Sequence, residues 1–221
     1  MKLVAEALIK FTCGLLLVGL LIFLPAGTLS YTYGWLFVGL LFVPMLIAGF
    51  IMLAKSPEFL KKRLDAKEKQ SAQKGVVALS GLMFIAGFVV AGLDFRFGWS
   101  AMPTWVVITA SVLFLIAYAL YAEVMRENAY LSRTIKVQEG QIVVDTGLYG
   151  IVRHPMYAAT ILLFMMIPLI LGSWYALIAF ALYPVIIIVR LLDEEKLLTE
   201  ELPGYDTYKQ KVKYRIIPFI W

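Results

Sequence analysis

Hydrophobic and polar positions alternate along this chain in long blocks, and the blocks predict membrane-crossing helices. About 20 consecutive apolar residues suffice to cross a bilayer core. Four stretches meet that length: roughly Leu8–Leu24, Gly34–Leu53, Val76–Leu93 and Pro103–Tyr121. Pro25 closes the first, Pro44 marks a kink inside the second, and Pro103 suits the first turn of the fourth, where its missing N–H leaves nothing unpaired. Lys2 and Lys10 precede or begin the first stretch, which is expected to be a retained helix rather than a cleaved leader.

A fifth apolar block, Tyr157 to Val189, holds about 33 residues without a charge, and Pro168, Gly172 and Ser173 break it near its middle. Two arms of about 15 residues reach roughly 22 Å each at 1.5 Å per residue. The block is therefore expected to be a hairpin that dips into the membrane and returns to the side it left. Beyond it, Arg190 to Val212 has an apolar stripe (Leu191, Leu192, Leu197, Leu198) on a charged background and is interrupted at Pro203-Gly204. It predicts an amphipathic helix lying at the interface. The expected fold class is an all-α polytopic membrane protein, with four N-terminal helices in residues 1–125. Residues 126–221 form a C-terminal region with the hairpin and its following helix.

Composition agrees with this pattern. Of 221 residues 62% are hydrophobic and 16% charged, against about half and a quarter in soluble domains. The net charge of +5 does not indicate nucleic acid, because the basic residues sit between the apolar blocks. Lys55, Lys61, Lys62, Arg63, Lys67, Lys69 and Lys74 separate the second block from the third; Arg126, Arg133, Lys136 and Arg153 follow the fourth. The loops between the first and second and between the third and fourth carry only Arg96. The positive-inside rule then places the N-terminus and the C-terminal region in the cytoplasm. The second loop is expected to set topology and attract anionic lipid.

Several chemistries are excluded. The single histidine, His154, rules out multi-histidine iron sites and an HExxH zinc site. The lone Cys13 is expected to be a small packing residue and permits no disulfide. No glycine-rich nucleotide loop and no GxSxG nucleophile motif is present. A transport path needs ionisable groups at mid-depth, and the four blocks supply none there.

Polar residues gather instead at the two mouths of the hairpin. One cluster is Gly147-Leu148-Tyr149-Gly150-Ile151-Val152-Arg153-His154-Pro155-Met156-Tyr157. Pro155 disfavours helix at His154 and favours a helix start, leaving Arg153 and His154 at a helix N-terminus, where anions bind. The other runs from Arg190 to Glu195, with Arg190 and Glu194 on one helix face.

Gly147-x-Tyr149-x3-Arg153-His154-Pro155-x-Tyr157, then Arg190-x3-Glu194-Glu195, Tyr205-x2-Tyr208 and the ending Ile217-Pro218-Phe219-Ile220, resemble the isoprenylcysteine carboxyl methyltransferase family. That family belongs to a broader group that includes membrane phospholipid N-methyltransferases. The resemblance covers roughly Gln141 to Trp221. It implies a methyltransferase using S-adenosyl-L-methionine, with the cofactor held by Gln141, Ile142, Val143, Val144, Tyr149, His154, Pro155, Met156, Tyr157 and Glu194. It implies that Arg190 faces the substrate carboxylate, with Arg153 as a second catalytic candidate and no metal. The prenylcysteine enzymes commonly carry histidine where this chain has Gln141, which leaves the acceptor open. The expected partner is a lipophilic or lipidated substrate arriving from the bilayer. Methylation of a phospholipid amine and an NADPH-dependent reductase of the sterol-reductase type are the alternatives.

Overall fold

A computed structural model describes residues 2–64, 71–131 and 137–221. Lys67, Lys69, Arg133 and Lys136, and the middle of the basic second loop, lie outside the described residues. The regular structure among the described residues is helical: α1 (Lys2–Ala26), α2 (Thr32–Lys55), α3 (Pro57–Leu64), α4 (Ser71–Phe97), α5 (Thr104–Glu127), α6 (Pro155–Ile170), α7 (Trp174–Phe180), α8 (Leu182–Glu201) and α9 (Tyr205–Lys211). All four expected spans are present, each longer than its apolar core by between one and two and a half turns, and α1 runs on through Pro25. Among the described residues five segments are long and apolar enough to cross a membrane, the fifth being Trp174–Glu201. The helices expose large apolar side chains such as Ile9, Leu20, Leu82 and Ile108 over their outer faces. That much exposed apolar surface has a solvent in lipid and none in water, so the protein is an integral membrane protein. Cys13 is exposed on this outer surface rather than packed.

Glycine sets the helix crossings on α4. A Cβ on Gly92 would lie 2.4 Å from the Ile22 carbonyl of α1, and one on Gly87 would lie 2.4 Å from the Phe180 ring of α7. Small residues allow this approach where dispersion contacts, not water exclusion, hold helices together. The shared core joins Phe37, Phe88, Phe114, Ile167, Phe180 and Leu191 from six helices.

The hairpin differs from expectation in depth. Its tip, Leu171–Ser173, meets the loops that end α1 and α4: the Tyr31 hydroxyl donates to the Leu171 carbonyl, and Ser173 Oγ donates to Asp94. Asp94 also accepts from Ser100 N at 2.7 Å and Ser100 Oγ at 2.6 Å, while Ser173 Oγ caps α7 through Ala176 N at 3.0 Å. The hairpin therefore runs the full depth of the bundle and does not dip part-way. Helix α6 alone, at 16 residues, spans about 24 Å, and α7 with α8 supplies the return. The arms are close to the expected length; the shallow-dip expectation failed because the tip's partners, Tyr31 and Asp94, are far away in sequence, while α8 carries the return past Arg190 to Glu201. For the same reason no separate amphipathic helix starts at Arg190; the break comes at Gly204, whose φ of +85° suits glycine.

Asp94 is 2% exposed, and its carboxylate holds the hairpin tip in place. Asp94→Ala leaves both serine hydroxyls and an amide without their acceptor. It should lower stability by about 3 kcal/mol, measured by reversible unfolding in mixed micelles.

Candidate active site

A cleft opens at the pole opposite the hairpin tip. Its walls come from the end of α5, the segment before α6, and the far end of α8 with α9, and they surround about 850 Å³ that is partly open to solvent.

The first wall is an extended strip. Gln141 Oε1 accepts from Gln138 N at 2.9 Å and Tyr130 Oη donates to the Gly140 carbonyl at 3.0 Å. These bonds turn the chain so that Gln141, Ile142, Val143 and Val144 line the cleft in succession. A 3₁₀ turn, Gly147–Gly150, follows. Its free Leu148 amide donates to Glu127 Oε2 at 3.0 Å, and a Cβ on Gly147 would fall 1.5 Å from Glu127 Oε1. Gly147 also has φ +49°, so both space and backbone require glycine here. The turn delivers Tyr149, whose hydroxyl accepts from Asn128 Nδ2 at 2.9 Å. Burial pushes that hydroxyl up to about 12, so it stays protonated at any physiological pH.

The second wall is set by one carboxylate. Glu195, 7% exposed, bonds Arg153 Nε at 2.7 Å and Arg215 Nε at 2.8 Å, and its Oε1 lies 3.3 Å from His154 Nε2. Arg153 Nη1 donates to the Val212 and Lys213 carbonyls at 3.1 and 3.2 Å. Backbone bonds from Arg153 N to Tyr214 O (2.9 Å) and from His154 N to Arg215 O (2.8 Å) run alongside. The anion beside the Arg153-His154 pair is thus the protein's own Glu195. Adjacent Glu194 turns the other way: the Tyr157 hydroxyl donates to its Oε2 at 2.5 Å, and both residues line the cleft with Arg190.

Of the residues singled out in the sequence, Gln141, Ile142, Val143, Val144, Tyr149, His154, Met156, Tyr157, Glu194, Arg190 and Arg153 all line this one cleft. Pro155 does not; it is buried at the first position of α6. Sequence reasoning missed Asn128, Tyr130, Leu131, Leu197, Leu198 and Leu202 in the lining, and it quoted Tyr205 and Tyr208 without a role. The tyrosine pair was within reach, since two buried aromatics three apart after a helix break need a reason to face inward.

Comparison with known proteins follows this geometry. Residues 101–204 match the phospholipid methyltransferase family. Over that stretch the chain is similar to a family of membrane methyltransferases. The matched segment takes in α5 and runs through α8, so it carries most of the cleft, and the matched family lies in the same membrane methyltransferase group that the sequence motifs resemble. An uncharacterized protein, YpbQ of Bacillus subtilis (strain 168), is 24% identical over 167 residues, 75% of this chain and 96% of that protein.

A methyltransferase of this family implies S-adenosylmethionine as methyl donor, and the lining fits such a molecule on one independent observation. Tyr205 Oη, in a side chain 4% exposed, has no hydrogen-bond partner among the described residues. Buried hydroxyls are nearly always paired, so a cleft-lining orphan asks for a polar ligand. Tyr205→Phe should weaken cofactor binding about tenfold, a hydrogen bond's worth, while the ligand-free protein becomes no less stable. Calorimetry beside thermal unfolding checks both signs.

Proposed function

We propose that this protein is a methyltransferase that binds S-adenosylmethionine in the cleft and methylates a carboxylate on a lipophilic, prenylcysteine-like acceptor. The acceptor enters from the bilayer, at the cytoplasmic face by the distribution of basic loops. What carries the reading is the convergence of ten predicted cofactor and substrate residues, with Arg153, on a single cleft at the end of the membrane helices.

When bound, the cofactor supplies an electrophilic methyl group on a sulfonium. Gln141, Glu194, Asn128 and Tyr205 offer polar partners for its amino acid and ribose groups, and Val143, Leu198 and Leu202 offer apolar surface for its base. Arg190 stands on α8 one turn before Glu194 and one residue beyond the uncharged arm. There it can hold a carboxylate through two parallel N–H···O bonds. The cofactor would supply this methyl group to one oxygen of the carboxylate that Arg190 holds, and would be left as a neutral thioether. Both charges vanish, so a site with little water favours the reaction (desolvation is one description of that advantage). No proton has to be removed, and Arg153, held by Glu195 and two carbonyls, serves to position the wall rather than to react.

The family match favours a second reading, methylation of a phospholipid amine. Radiolabelled cofactor, the purified protein in nanodiscs, and either a farnesylcysteine acid or phosphatidylethanolamine separate the two. The carboxylate reading expects label that alkali releases as methanol from the prenylcysteine product. Alkali-stable label in the phospholipid would replace it with the amine reading.

A further inference from the structure

The end of the chain folds into a tight apolar turn that the cleft does not use. Ile220 N donates to the Ile217 carbonyl at 3.2 Å, with Pro218 second and Phe219 third in the turn. Phe219 has φ +65° and is the one non-glycine residue with positive φ among the described residues. A type II turn demands positive φ at its third position and normally takes glycine or asparagine there. A bulky residue in that region is strained, and such strain persists only where the surroundings enforce it. Here it holds out a phenylalanine that is 87% exposed, beside Ile220 at 77% and Ile217 at 49%.

The turn is held firmly and at a defined height. The amides of Arg215, Ile216 and Ile217 converge on the Trp221 carbonyl at 2.8–3.3 Å. Arg215 bonds Glu195 and lies 5.0 Å from the Trp221 ring centre. Ile216 belongs to the core of the membrane helices, and Trp221 packs against it. The backbone just before the turn pairs with Arg153 and His154, the last residues before α6 begins. The turn therefore sits at the level where α6 starts and α8 passes from its uncharged arm into charged sequence. Lys213 and Arg215 adjoin it, the charge that suits an anionic headgroup layer.

We propose that the Ile217–Ile220 turn is a membrane anchor, with Phe219 and Ile220 inserted into the headgroup–acyl boundary of the bilayer the protein spans. Aromatic residues favour that boundary, and apolar groups gain there by leaving water. Because Arg215 and the 213–215 backbone also brace the Arg153-His154 wall, the anchor ties the cleft to the membrane surface.

The test uses single nitroxide labels at positions 213, 219 and 220 in a Cys13→Ala background. The protein is reconstituted in nanodiscs of phosphatidylcholine and phosphatidylglycerol. Collision with oxygen reports lipid exposure and collision with a water-soluble nickel chelate reports aqueous exposure. The anchor expects labels at 219 and 220 to be shielded from the chelate several-fold relative to 213 and more reachable by oxygen. The label at 220 covers the case in which substitution at the strained position 219 alters the turn. Equal chelate access at all three positions overturns the proposal. So does dipolar broadening between labels of two molecules, which would show a second copy covering the turn.

Discussion

Glu195→Ala should be the most damaging single change in the cleft, lowering stability by about 3–5 kcal/mol and abolishing cofactor binding. Removing this carboxylate leaves the Arg153 guanidinium, 9% exposed, without its counter-charge and releases Arg215 from α8. The Arg153-His154 wall and the C-terminal segment lose their common anchor together. The neighbouring Glu194→Ala gives the contrast. Glu194 is only partly buried and lines the cleft, so its loss should weaken cofactor binding strongly while stability changes by about 1 kcal/mol or less. Urea unfolding in micelles and titration calorimetry on both variants read the two effects separately. If both glutamates proved equally costly to stability, the division between frame and ligand would be wrong.

Arg190→Ala should lower kcat by about a thousandfold, the effect of removing a group that places the reacting carboxylate, with cofactor affinity little changed. Arg190→Lys should recover only part of the rate, because an ammonium keeps the charge but not the planar fork. Single-turnover measurements with saturating cofactor check this. A variant that lost cofactor affinity in proportion to rate would instead place Arg190 against the cofactor.

Much of this architecture was legible in the chain. The helices were visible because a bilayer imposes a length on apolar runs, and the mouths of the hairpin were visible because polar residues are costly anywhere else along it. The bracing role of Glu195, beside the cleft-facing Glu194 that the motif singled out, was not legible. Adjacent residues on a helix point about 100° apart, and only the packing of Arg153 and Arg215 decides which one faces the cleft. The depth of the hairpin was hidden for a related reason. Asp94 and Ser173 lie 79 residues apart, and nothing local announces that they meet. Asn128 was missed because its role depends on a bond to Tyr149, 21 residues away. Phe219 was quoted only as part of a motif, since its meaning lies in a backbone angle that sequence does not display.

The central claim is that the cleft holds S-adenosylmethionine, and direct binding tests it most simply. Calorimetry on the purified protein, with NADPH titrated into a parallel sample, should give micromolar affinity for S-adenosylmethionine and none for NADPH, with the affinity lost in Glu194→Ala. A well-folded wild-type protein that binds NADPH and leaves S-adenosylmethionine in solution would contradict the account.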